Sequence, residues 1–360
     1  MKRVIAAAAL VFVAGSFVSA QNPPSAAQGA APAAAAGGRQ GGRGPALPPI
    51  DPPKEWLSPK RPKELIEFSM MTWPEVYDAI HHQGKTVALY YTGGNEHRGP
   101  QNVNGGHTLM GREIAMEIAR KLGNAIVLPV MPYSSNNASN QQTGTLGLNA
   151  EIEAMIAERI AEQAVTTGFT TVIFMNDHGG SVGPLGDTAK KLEAKYRAPE
   201  LADKKIHFLY ADRVYAPAQN DFDDLLVSRG LTRSSHAGLP DTSSMMYLGK
   251  GKDWTRTDLL PYAVTMGPGY VPAPPAPRPA APAAGAAPAA GAAAGAAAPA
   301  AGRGGGRGGA AAADPNAPRI VASGVTGDGR KSSEAIGKEA FEMKVNYALK
   351  QIKDWMATIK

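Results

Sequence analysis

The 360-residue chain sets 37 Lys and Arg against 31 Asp and Glu, a formal charge of +6, and has no cysteine. That composition excludes disulfides, thiolate metal sites, cysteine nucleophiles and cysteine-linked lipids. Lys2, Arg3, Arg39, Arg43, Arg278, Arg303 and Arg307 lie in leader or low-complexity sequence, so the remainder is near neutral and no nucleic-acid footprint is expected.

In chain order, residues 1–20 read as a signal peptide: Lys2 and Arg3, an apolar run from Val4 to Val18, then Ser19 and Ala20 before Gln21. The run falls short of the roughly 20 residues that span a bilayer. Cleavage, a periplasmic or secreted location and no membrane span in the mature chain are therefore expected. Residues 21–49 are Ala, Pro, Gly and Gln and read as a disordered leader; residues 271–318 are a second tract of this kind, inserted within foldable sequence. Residues 50–270 and 319–360 suffice for one domain. Within it, Thr86–Tyr91, Ala125–Val130, Thr170–Met175 and Ile206–Tyr210 read as short buried strands. Met110–Leu122, Ala150–Thr166 and Ser332–Ile359 read as helices, the second capped by Asn149 and carrying Ile152, Ile156 and Ile160 on one face. Such alternation predicts a single α/β domain of three layers, α/β/α, around a mostly parallel sheet. Ligands gather at the carboxyl ends of its strands.

Two strands run into loops rich in chemistry. TGGNEHRGPQNVNGGH offers Glu96, His97, Arg98 and His107, and NDHGG offers Asp177 and His178. A carboxylate with imidazoles suits zinc, iron(II) or manganese. Read singly, each is an ordinary loop residue, and Glu96 with Arg98 is a surface ion pair. A third segment, SSHAGLPDTSSMMYLG, holds Ser234, Ser235, His236 and Asp241. A serine-hydrolase reading of it lacks the G-x-S-x-G elbow.

These segments resemble the creatininase (creatinine amidohydrolase) family. MTWPE at Met71–Glu75 is similar to its entry helix, GGNEHRGP to its G-S-x-E-Q-H-G-P, and GHT, with His107 eleven positions after Glu96, to its T-D-T. TGTLGLNAE, NDHGG, HAGLPDTS and GVTGDGRKSSEAIGK resemble its P-G-T-x-x-L, N-G-H-G-G, H-A-G-x-x-E-T-S and G-x-x-G-D-P elements. The resemblance implies a metal-dependent hydrolase of small amides or cyclic amides, assembled as a homo-oligomer, a hexamer. It implies metal ligands at Glu96, His107 and His178. Catalytic duty falls to His236 as proton carrier, Asp241 as base, orienting group or ligand, and Arg98 as fixed charge.

The departures from the pattern are specific. His107 replaces an aspartate that bridges two ions, Arg98 replaces a histidine ligand of the second ion, and Gly180 stands where creatininase has a glutamate. One divalent ion per subunit is therefore expected. Ser235 replaces the glutamate before the catalytic histidine, which argues against creatinine itself. Two rivals follow: a metal- or ligand-binding protein on this fold without turnover, and a surface-interaction protein whose Ala/Pro/Gly tracts are the functional part.

Overall fold

The computed structural model describes residues 51–57, 64–136, 143–265 and 324–359. The expected signal, leader and 271–318 tract lie outside them. Four parallel strands, β1 (Val87–Thr92), β2 (Ala125–Val127), β3 (Thr171–Asn176) and β4 (His207–Tyr210), form a sheet in the order β2-β1-β3-β4. β1 and β3 pair over their whole length, Val87 with Thr171 through Thr92 with Asn176. Their ends, and the loops that follow, therefore lie side by side.

Both faces of the sheet are covered, as buried contiguous apolar strands require. Val87, Leu89, Tyr91, Ile173 and Met175 point to one face, covered by α2 (Gly106–Leu122) and α7 (Glu334–Thr358) through Ile114, Ile118, Val345, Leu349 and Ile352. Ala88, Tyr90, Val172 and Phe174 point to the other, covered by α1 (Trp73–His81), α3 (Ala150–Thr167) and α4 (Val182–Arg197) through Val76, Ile80, Ala157, Ala161, Leu185 and Leu192. α5 (Ala216–Ser228) and α6 (Leu239–Leu248) add a small cluster on α7, with Phe222, Leu226, Leu239 and Ala340. This is the α/β/α architecture that the sequence predicts. No helix among the described residues is long and apolar enough to cross a membrane.

Several boundaries differ from the sequence expectation for local reasons. β2 ends at Val127, two residues before Pro129, which has no N–H for a ladder. α2 begins at Gly106 rather than Met110, which places His107 in its first turn. α3 is capped as expected, with the Ile152 N–H donating to Asn149 Oδ1 at 2.8 Å. Its buried face is Ala157, Ala161 and Ala164, however, while Ile152 and Ile160 are each 40% exposed. Small side chains let that helix lie close to the sheet.

α6 and α7 cross at Gly337, where an added Cβ would lie 1.9 Å from the Ser243 carbonyl oxygen. Gly337→Ala is expected to destabilise the fold by about 1–3 kcal/mol, overpacking outweighing the gain in helix propensity. Urea unfolding measures this; unchanged stability would mean that the two helices separate at no cost.

Candidate metal centre

The β1 end leads into the loop that carries Glu96, Arg98, Gln101 and Asn102, all buried. The β3 end delivers Asp177 and His178. Asn176 Nδ2 donates to the His178 carbonyl at 2.6 Å, and the Tyr210 hydroxyl donates to Asn176 Oδ1 at 2.7 Å. That pair fixes the turn beside the neighbouring strand. His236 precedes α6, whose first turn supplies Asp241.

Glu96 is the hub. Its Oε1 lies 2.7 Å from His107 Nε2, 3.3 Å from His236 Nδ1 and 3.4 Å from Arg98 Nη1. Its Oε2 lies 3.1 Å from both His178 Nε2 and Asn136 Nδ2. Burial alone would raise this carboxyl; the charge of His107, hydrogen bonds from His107 and His178, and the charge of His236 instead hold it far below the carboxylate range.

The outer hydrogen bonds fix the tautomers of His236 and His178. His236 Nε2 lies 2.7 Å from the His97 carbonyl, which only accepts, so Nε2 carries the proton. His107 Nδ1 lies 3.2 Å from the Asp177 carboxylate and carries its proton there. His178 Nδ1 accepts from the Gly180 N–H at 3.2 Å, so its Nε2 is the protonated atom and donates to Glu96. The neutral His236 ring therefore turns its Nδ1 lone pair toward Glu96 Oε1. In His107, against burial and the charge of Arg98, Glu96 and the hydrogen bonds to Asp177 and Glu96 raise the pKa, so that the ring holds a proton toward each carboxylate until a cation displaces the one on Nε2. Burial lowers the His236 pKa, which favours that neutral form.

Glu96, His107 and His236 each bring one ligand atom within 4.8 Å of the others, a grouping that can hold a metal ion. A tetrahedral ion with bonds of about 2.0–2.1 Å spaces its ligand atoms roughly 3.3 Å apart, so the donor set fits a divalent ion. Charge agrees. Glu96, Asp177 and Asp241 carry three negative charges against Arg98 and Lys344, leaving −1 before the imidazoles.

Arg98 is fully buried, with its Nη2 donating to Asp241 Oδ2 at 2.8 Å. The same carboxylate oxygen accepts the Ala237 N–H at 3.0 Å. Ala237 sits at φ 52°, a left-handed conformation that costs energy in an L-residue. It is held by Asp241 and by Gln101 Nε2 and the Thr242 hydroxyl on its carbonyl, at 2.8 and 2.9 Å. Of the three roles left open for Asp241, its contacts match the orienting one.

Gly180 has no room for a side chain, since an added Cβ would lie 1.8 Å from the Ser135 carbonyl oxygen. The place of a second-ion glutamate is thus closed by backbone.

The family model described as "Creatininase: Creatinine amidohydrolase" matches residues 69–352. The chain belongs to the creatininase family. Among solved creatininase structures, a manganese form is 19% identical, with a TM-score of 0.56 over 81% of this chain and 98% of that one. A variant of "Zn-Zn type" is 18% identical, with a TM-score of 0.55 over the same shares of 81% and 98%. A variant complexed with creatine is 19% identical, with a TM-score of 0.55, again over 81% and 98%. These likenesses show a common fold. A search of curated proteins found no match.

All six residues expected from the creatininase resemblance, Glu96, Arg98, His107, His178, His236 and Asp241, meet in this one cluster. The ring of His97 is not among the converging donors; its contribution is the carbonyl that holds His236. Sequence reasoning missed Lys344, which pairs with Asp177 from 167 positions away. It also passed over Asn136 and Gln101 in loops and Asn176 at the end of β3, polar residues with no spacing signature.

Proposed function

We propose that this protein is an exported amidohydrolase that uses one divalent metal ion to cleave a small linear or cyclic amide. The observation that carries the reading is the convergence of Glu96 Oε1, His107 Nε2 and His236 Nδ1 within the span of one coordination sphere. Family membership supplies the reaction class. The related structures, in manganese and zinc forms and with creatine, support a transition-metal ion and a small polar substrate. Zinc, iron(II) and manganese all suit this donor set. The resemblance further supports assembly as a hexamer, and residues 1–20 support export to the periplasm or beyond.

When bound, such an ion makes water a nucleophile near neutral pH and polarises a carbonyl. Glu96, His107 and His236 hold the centre. Arg98 and Asp241 form a buried ion pair that balances the Glu96 charge and fixes the backbone at Ala237, next to His236. His178, a ligand in the creatininase resemblance, donates its Nε2–H to Glu96 and on this reading exchanges roles with His236, acting as proton donor to the leaving nitrogen. Ser235 beside His236 leaves a carboxylate out of the substrate side, so an amide other than creatinine fits better.

The test is elemental analysis of purified wild type, His236→Ala and His178→Ala. About one equivalent is expected in wild type and in His178→Ala, and a large loss in His236→Ala. Loss in His178→Ala with retention in His236→Ala would exchange the two roles. No ion in wild type, together with no turnover, would favour a binding protein on this fold, a reading that the altered positions Arg98 and Gly180 also support.

A further inference from the structure

We infer that Asp177, anchored by Lys344, is a positioning residue that keeps the metal site open by selecting the tautomer of His107. The inference rests on the metal-site reading and extends it to residues behind the donors.

The Asp177 side chain is 1% exposed and receives two groups: His107 Nδ1 on Oδ2 at 3.2 Å, and Lys344 Nζ on Oδ1. Neither partner is local. His107 comes from the first turn of α2, and Lys344 from the middle of α7 on the same face of the sheet. Asp177 stands where the N-G-H-G-G element has glycine, and His107 where T-D-T has aspartate. The two departures are in contact. A carboxylate lost beside the ion reappears one imidazole behind it.

The physical consequence is a choice between two states of one ring. With the proton on Nδ1, bound to Asp177, Nε2 offers a lone pair to a cation. With the proton on Nε2, the ring donates to Glu96 Oε1 across 2.7 Å, and this internal hydrogen bond takes up both donors. Asp177 holds a proton on Nδ1, so that the proton toward Glu96 is the one a cation displaces, and Nε2 is the nitrogen left to ligate. Lys344, itself 13% exposed at its side chain, occupies the other oxygen and stops the carboxylate from rotating away. An imidazole held this way by a carboxylate is also a more basic ligand.

Asp177→Asn separates the two states, because an amide facing Lys344 turns its oxygen to the lysine and its NH2 to His107. That arrangement requires a lone pair on Nδ1 and a proton on Nε2. Two readouts are used on the full chain: two-bond ¹H–¹⁵N spectra of the metal-free protein, which report the His107 tautomer, and the Kd for zinc from competition with a chelating indicator. Wild type is expected to keep a proton on His107 Nδ1, and Asp177→Asn to lose it, leaving the Nε2–H form with zinc bound about 10–100-fold more weakly. Asp177→Gly, the residue of the family motif, removes the carboxylate without introducing an amide and is expected to weaken zinc to the same extent. It serves if the asparagine variant does not fold. Lys344→Met, which keeps the carboxylate at His107, is expected to retain the Nδ1–H form. Wild-type zinc affinity and tautomer in both Asp177 variants would overturn the inference while leaving the metal site intact. Failure of wild type to bind zinc would instead remove the metal-site reading, with the tautomer spectra still deciding what Asp177 does.

Discussion

Glu96→Gln is expected to yield a folded protein that retains no more than about a tenth of an equivalent of divalent metal. Glutamine keeps the volume of Glu96 and can still meet Asn136 and His178, but it lacks the negative charge around which His107, His236 and Arg98 are arranged. Turnover of any amide substrate should fall by about 10³-fold or more, since a metal-activated water and carbonyl polarisation are worth several kcal/mol. Metal analysis, circular dichroism and a panel of cyclic amides and formamides check this together. A variant that keeps both its ion and its rate would place the chemistry elsewhere in the chain.

Asp241→Ala should be the most destabilising single change at the site, by about 3–5 kcal/mol in urea or thermal unfolding. It leaves the fully buried Arg98 with only the longer 3.4 Å contact to Glu96, and it deprives the Ala237 N–H of its acceptor. The reason is removal of one partner rather than the worth of the pair itself. Arg98→Met combined with Asp241→Ala should therefore recover part of the loss, even though two polar groups are gone. A double variant less stable than Asp241→Ala would show that Arg98 stabilises the fold by itself. A loss under about 1 kcal/mol in the single variant would place Arg98 in a more solvated setting than its burial indicates.

The sheet was readable because β1 and β3 are buried on both faces, so that VALYYT and TVIFMN appear as nearly unbroken apolar runs. Their ends located the site before any geometry was known. The helices were harder. α4, α5 and α6 give little periodic contrast, because many of their buried positions are small or polar, such as Ala189, Ala218 and Ser243. In α3 size pointed to the wrong face, since isoleucines at helical spacing read as the buried face while alanines supply it. At the site, the side chains with the right chemistry could be named from their residue type and from the creatininase resemblance. Their division of labour could not, because it depends on what the far nitrogen of each imidazole touches: a carbonyl for His236, a carboxylate for His107, a backbone N–H for His178. Thr242 illustrates the same limit. Its hydroxyl accepts from Gln101 and Asn102 and donates to the carbonyl of the strained Ala237, contacts that no local pattern encodes.

Lys344 lies beyond the 271–318 tract, while every other member of the cluster lies before it. During synthesis the loops that bear Glu96, His107, His178 and His236 emerge first, with α7 the last of the described elements to be made. Until that helix docks, Asp177 lacks the cation on its other oxygen. On the proposed reading, the metal centre is complete only once the last of the described elements is in place.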